Sequence, residues 1–322
     1  MTERLTLIAV HAHPDDESIG TGGVLARYAD EGIRTVLVTC TGGEVGEIGD
    51  PTLATPDNLA EVRRRELDAA CTILNVSHLE MLGYRDSGMM GTADNDRAGA
   101  FMRADLDVAA GRLVELVRRY RPQVLVSYDE NGFYGHPDHI NANRITVLAF
   151  ARAGDPTAYT VQGLAPWQPA KLYYTAVPIS RMAEFGRTLA EHGITPPMDG
   201  DAPPAAETSG SETAGDAAQV IGEQPSEGQP PAALATEAAS PPMGTPDELV
   251  TTYVDVAPWV ERKRNALWAH ATQMGPEVFF ARMPPALFDE LFGTESFQLV
   301  EPKGTRTASE GDLFAGLRDG PD

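Results

Sequence analysis

The chain is predicted to be an α/β protein with a mostly parallel sheet covered by helices. Two observations predict this: short β-branched runs alternate with segments of helical period, and the two strongest polar clusters directly follow two of those runs. With 322 residues, 42% of them hydrophobic and 22% charged, the chain is long and apolar enough to bury a sizeable core. Taken in order, Leu5 to Val10, Thr35 to Cys40, His78 to Leu82, Val124 to Tyr128 and Leu172 to Val177 read as strands. Between them Val24 to Tyr28, Leu59 to Leu74, Leu106 to Tyr120 and Ile140 to Ala153 have helical periodicity, and Arg121-Pro122 stops the third of these before the fourth strand. Further on, Val256 to Gln273 reads as a helix and Glu295 to Val300 as a last short strand.

Charge is distributed unevenly. Asp and Glu number 47 against 25 Lys and Arg, a net charge of −22, and residues 188–261 hold thirteen of the acids and no Lys or Arg at all. Inside that stretch residues 195–247 are rich in Ala, Pro, Gly and acid and free of aromatic side chains. Such a composition cannot bury enough apolar area to offset its ordering entropy, so it reads as a disordered insertion within a single domain spanning 1–322. The negative charge disfavours a nonspecific grip on nucleic acid or anionic membrane. No apolar run approaches the roughly 18 residues of a membrane span, and Met1 to Val10 lacks a signal-peptide core, so a cytoplasmic protein is expected. Cys40 and Cys71 are the only cysteines, which leaves any metal to His and carboxylate. The oligomeric state is not legible.

The chemistry is expected at the carboxyl ends of strands, where open parallel sheets bind ligands. His11-Ala12-His13-Pro14-Asp15-Asp16-Glu17 follows the first strand, and Tyr128 through His139 follows the fourth; together they hold four of the seven histidines. His13 and Asp16, three apart across a turn, can converge on one ion with His139 as a third ligand. Two imidazoles and a carboxylate with open water positions suit Zn²⁺, and the same triad serves Fe²⁺. Three protein ligands leave room for a water whose pKa the metal lowers to about 7. Asp15, beside Asp16 on another bearing, is placed to act as general base. His136 as an imidazolium, steadied by Asp138, and the Tyr134 hydroxyl are candidates to stabilise an oxyanion or release an amine.

These two motifs together resemble the LmbE-like, or PIG-L, zinc deacetylases, over residues 4–180 and again from about 255, skipping the acidic stretch. The resemblance implies a Rossmann-like sheet, a metal held by His13, Asp16 and His139, and N-acylated glucosamine derivatives as small-molecule substrates. Within the family, Thr39 through Glu47, Arg63 through Leu67 and Tyr84 through Thr92 are similar to the branch that deacetylates N-acetylglucosaminyl-inositol in mycothiol biosynthesis. That likeness assigns Arg63 to the inositol end and Asp86 to the sugar hydroxyls. Ala269 through Gln273, Phe279 through Ala281 and Asp312 through Leu317 instead resemble the sister branch of mycothiol S-conjugate amidases, although Ser18-Ile19-Gly20-Thr21 lacks the lysine of that branch and Asp86 follows Arg85 as in the deacetylases.

His270 is read either as a substrate contact or as a packed helix residue, and Glu47 either as a substrate contact or as a bridge to Arg63. His11 reads as a wall of the site. Gly42-Gly43 lacks the Lys-Ser/Thr ending of a phosphate loop. His78, His192 and the three tryptophans read as surface, core or rim. A noncatalytic sugar- or polyol-binding module is the rival from another class, and an intact Asp15 with His136 argues against it, because binding alone needs no base.

Overall fold

Leu7 and Ala9 pack to one side of the first strand and Ile8 and Val10 to the other, and all four are fully buried. A strand that is apolar on both faces belongs in the middle of a covered sheet. The computed structural model describes residues 4–159, 163–194, 244–302 and 310–318, all within one compact unit formed by residues 1–196 and 243–322. Its seven-stranded sheet has the order β3-β2-β1-β4-β5-β7-β6, with β1 (Thr6–His11), β2 (Arg34–Thr41), β3 (His78–Tyr84), β4 (Val124–Ser127), β5 (Lys171–Ala176), β6 (Thr252–Asp255) and β7 (Thr294–Glu301). The first five strands pair parallel, and β7 runs antiparallel to both β5 and β6.

Among the described residues the helices are α1 (Asp16–Gly20), α2 (Gly22–Asp30), α3 (Leu59–Leu74), α4 (Leu106–Tyr120), the single turn α5 (Gly132–Gly135), α6 (Pro137–Arg152), α7 (Ile179–Glu191), α8 (Val260–Ala269) and α9 (Pro285–Phe292). Leu113, Val114 and Val117 of α4 and Ile145 and Ala149 of α6 pack on Ile8, Val10, Val36 and Val38. On the other face Val24 and Leu25 of α2, Leu67 and Leu74 of α3 and Ala266 of α8 pack on Leu7, Ala9 and Leu37. Burying each such side chain contributes about 1.5–3 kcal/mol. The chain leaves β1 towards β2 on one side and reaches β4 on the other, so the crevice beyond the carboxyl ends of β1 and β4 is the switch point at which such sheets bind ligands.

The expected helices Leu59–Leu74 and Leu106–Tyr120 form with those bounds, and the strands shift by a residue or two. The expected helix over 256–273 does not form as one piece. A short turn at Ala257–Trp259 precedes α8, which ends at Ala269 because the next side chains turn inward: His270 pairs with Glu17, and the Thr272 backbone N–H and hydroxyl both donate to Glu66 at 2.7 Å. β6, α7 and α9 were not foreseen. α7 buries Leu189, with Phe185 half-buried, against a separate cluster that includes Phe280 and Phe288. Of the stretch 195–247 expected to be disordered, residues 195–243 lie outside the described residues. The last four are ordered: the Thr245 N–H donates to the Val177 carbonyl at 2.7 Å, and its own carbonyl accepts the Ile179 N–H at 3.0 Å. No described helix is long and apolar enough to cross a membrane.

Candidate metal centre and active site

The loops after β1, β2, β3 and β4 meet around His13. Its Nδ1 lies 3.3 Å from Asp16 Oδ2, and Asp16 Oδ2 is 3.5 Å from His139 Nε2. The other nitrogen of His13, Nε2, is 3.3 Å from Asp138 Oδ2 and 3.6 Å from Asp86 Oδ1. His13, Asp138 and His139 are buried and Asp16 nearly so. Asp16 is held from two sides, by the Tyr128 hydroxyl at 2.7 Å and the His13 backbone N–H at 2.8 Å. Despite burial, His139 and His13 keep its carboxyl well below the usual range. Burial pushes His13 down, yet Asp138, Asp16 and Asp86 leave it raised well above an ordinary imidazole. A pocket that favours an imidazolium favours any cation at that place.

Two observations fit the donor set to a metal. His139 Nδ1 is 3.2 Å from the Gly132 carbonyl, which fixes its proton there and turns Nε2 inward, where it is buried without a hydrogen-bond partner. A backbone carbonyl held by one nitrogen and an unsatisfied lone pair on the other is how ligating histidines are oriented. In its neutral form His13 repeats the pattern: a hydrogen bond from Nε2 to Asp138 leaves the Nδ1 lone pair for a cation beside Asp16. The Asp138 carboxylate in turn accepts the Ser87 N–H at 2.9 Å and the Ser87 hydroxyl. Among the described residues, the groups whose donor atoms all lie within 4.8 Å of one another are His13 with His136 and His139 and His13 with Asp86 and Asp138, whereas His13 and His139 of the expected triad are linked pairwise through Asp16.

Asp15 stands at φ 113°, outside the regions an L-residue ordinarily visits, at a cost of about 1–3 kcal/mol. Its carboxylate is 3.0 Å from Arg63, which is itself buried and donates as well to the carbonyls of Pro14 and Gly43. Gly43, at φ 66°, and Gly46 leave room for that guanidinium, which a Cβ at either would meet at 2.3–2.4 Å. Burial raises the Asp15 carboxyl to about 6, Arg63 opposing, which places a proton acceptor close to neutrality.

Several sequence expectations change here. Asp138 faces His13, not His136; its backbone N–H donates to His136 Nδ1 at 3.2 Å, which places the proton of a neutral His136 ring on Nε2. Burial, with His13 and His139 beside it, lowers His136 to about 4, so it is an imidazole where an imidazolium was expected. His270 is fully buried 2.8 Å from Glu17 and faces no ligand. Arg63 grips Asp15 rather than projecting outward, while its neighbours Arg64 and Arg65 pair on the surface with Asp68 and Glu61. Glu47 is exposed and makes no bridge to Arg63; its carbonyl accepts from Gln273 at 3.0 Å. Asp86 is buried and accepts the Gly88 N–H at 2.8 Å. Tyr134 is 45% exposed, its ring 5.1 Å from that of His139, and burial of its hydroxyl end, with Asp16 near, raises its pKa so that it keeps its proton. His11 forms a wall, with Nε2 2.8 Å from Thr21 Oγ1. Glu17, Tyr128 and Ser87 were missed. Their signal, acid or hydroxyl beside a motif residue, is too common to single them out.

Residues 8–150 match the family model "PIG-L: GlcNAc-PI de-N-acetylase". A 1D-myo-inositol 2-acetamido-2-deoxy-alpha-D-glucopyranoside deacetylase of Catenulispora acidiphila is 43% identical over 97% of this chain and 89% of its own length. The chain belongs to the PIG-L family. A PIG-L relative with the same function in its name, from Thermobifida fusca, is 41% identical over 96% of this chain and 98% of its own. Deacetylases of the PIG-L family are metal-dependent, in keeping with the donors around His13. Among solved structures, the N,N'-diacetylchitobiose deacetylase of Pyrococcus horikoshii superposes with a TM-score of 0.56 at 17% identity, covering 91% of this chain and 83% of that one. The 4-carboxy-2-hydroxymuconate hydratase GalB of Pseudomonas putida superposes with 0.57 at 19% identity, covering 94% and 99%. A hydratase on the same PIG-L-like scaffold means that the fold alone leaves the reaction open, and the site has to decide it.

Proposed function

We propose that the protein hydrolyses the N-acetyl amide of 1D-myo-inositol 2-acetamido-2-deoxy-α-D-glucopyranoside, releasing acetate and the free amine, with Zn²⁺ held by His13, Asp16 and His139. Fe²⁺ is the ion that would serve the same donors. The observation that carries the reading is the half-buried carboxylate of Asp15, a residue with a strained backbone, beside that donor set. Support for this triad over the two alternatives is that Asp138 is committed to Ser87 and His13, and His136 Nδ1 to a backbone N–H. When bound, the cation supplies Lewis acidity that polarises an amide carbonyl and eases ionisation of water.

The chain's own residues do the rest. Asp15 takes the proton of the attacking water and later delivers it to the departing nitrogen, so the proton count closes on acetate and an amine. The Tyr134 hydroxyl and His136 Nε2–H donate to the oxyanion that develops on the acetyl carbon. Asp138 keeps His13 oriented through Nε2. Arg63 aims Asp15, and Glu47, with its carboxylate exposed on the loop after β2, is left to meet polyol hydroxyls at the rim.

Acetate release from this substrate, from free N-acetylglucosamine and from thiol S-conjugates, measured by mass spectrometry with and without chelator, tests the reading. Fast, chelator-sensitive deacetylation of the inositol glycoside, restored by Zn²⁺, is expected. Preferential cleavage of S-conjugates would transfer the protein to amidase chemistry, and inertness on every substrate would leave a binding module.

A further inference from the structure

Beneath Asp15 lies a buried pair that the chemistry above does not use. Glu17 and His270 are both fully buried, 253 positions apart, with His270 Nε2 2.8 Å from Glu17 Oε1. The same oxygen accepts the Ser18 hydroxyl at 2.6 Å. The second oxygen, Oε2, accepts the backbone N–H of Asp15 at 3.0 Å. His270 is fixed in turn by the segment that follows α8. Thr272 is bound to Glu66 of α3, its carbonyl accepts the Gly49 N–H at 2.8 Å, and Gln273 reaches the Glu47 carbonyl. Gly49 and Gly275 allow this crossing, since a Cβ on Gly49 would stand 2.6 Å from the Gly275 Cα.

We propose that Glu17 and His270 are positioning residues for Asp15: the carboxylate that His270 and Ser18 hold on one side anchors the Asp15 N–H on the other and keeps that residue at φ 113° with its side chain against Arg63. The inference rests on Asp15 being the base. A strained residue persists only where its surroundings over-determine it, and here each part of Asp15 has a separate restraint. Glu17 takes the N–H, the Ser18 N–H at 3.0 Å takes the carbonyl, and Arg63 takes the carboxylate. Remove the first and the backbone can relax to an ordinary conformation, swinging the carboxylate off its bearing. Displacements of about 1 Å in such a group cost about 100-fold in rate.

The test uses the metal-loaded full-length enzyme. His270→Ala is expected to lower kcat about 10- to 100-fold with KM and bound metal unchanged, and His270→Gln, whose amide can donate to Glu17, to recover most of the loss. In an Asp15→Ala background the His270→Ala change should cost almost nothing further, because both act through one group. A His270→Ala enzyme with wild-type kcat, or an equal loss with and without Asp15, overturns the proposal. Should His270→Ala not fold, Glu17→Gln carries the same test, since it keeps the volume and weakens the hold of His270; an unchanged kcat there overturns it too. Failure of the base assignment looks different: Asp15→Ala would itself retain turnover.

Discussion

Between His11 and Asp16 the chain contains no glycine, and its sharp turn falls on Asp15 at φ 113°. That loop is held by side chains distant in sequence: Arg63 on Asp15 and Pro14, Tyr128 on Asp16, and Glu17 through His270. Between Tyr128 and His139 the chain turns at Gly132 (φ 64°) and Gly135 (φ 91°), with Phe133 between them at φ 68°. Here the restraints are mostly local: Asp129 accepts the N–H groups of Asn131 and Phe133, Gly132 accepts from His139, and Asp138 donates to His136. The first loop is over-determined by the fold and carries the proposed base. The second supplies its own geometry and leaves Tyr134 half exposed, free to meet a ligand.

Substitutions can break or sharpen this contrast. The largest effect belongs to the residue on which the two loops converge: His139→Ala should abolish metal retention and lower acetate release by about 10³-fold or more, read by elemental analysis and product assay together. Retention of full metal by that variant would separate the loops. Asp15→Ala should lower kcat by about 10²–10⁴-fold while leaving bound metal at wild-type stoichiometry, since its carboxylate faces Arg63 and not the donors. In the second loop Gly132→Ala should weaken metal affinity by about 10–100-fold, because the added Cβ would lie 2.6 Å from that of His139 and disturb the carbonyl that orients it. Tyr134→Phe should cost about tenfold in kcat, less than a donor on a fully enclosed residue, because Tyr134 is 45% exposed and water can enter beside its ring. Smallest is a control away from both loops: Asn75, exposed in the left-handed conformation after α3, should accept glycine with about 0.5–1 kcal/mol of added stability and unchanged activity. A thermal melt that falls, or a changed rate, would show that strain elsewhere in the chain reaches the site.

Much of this was legible beforehand because its signals are local. β1, β2 and α4 announce themselves by periodicity, and the proposed donors His13, Asp16 and His139 by clustering after strands. β6 escaped notice because it is four residues long, with only Thr252 and Val254 buried. α7 was missed although Ile179, Met182, Phe185 and Leu189 recur at helical spacing; only Leu189 is buried, and it packs in a separate cluster away from the main core. The direction of β7 escaped as well, since antiparallel pairing with β5 is a property of the partner and not of the run itself. In the site, His270 reads equally as a substrate contact or a packed residue, and its buried pairing with Glu17 decides for packing, while Asp138 reads as the partner of its neighbour His136 when its carboxylate belongs to His13, 125 positions away.

Residue order alone settled which chemistry the protein carries: imidazoles and carboxylates in two short motifs at strand ends, and an apolar pattern that forces those strands into a covered sheet. Which nitrogen of each histidine faces inward, that Asp15 is bent and gripped by Arg63, and that His136 is uncharged were decided only by the folded structure. The reason is physical. Periodicity and composition are properties of neighbours along the chain, whereas proton positions, burial and backbone strain depend on groups that folding alone brings within 3–4 Å.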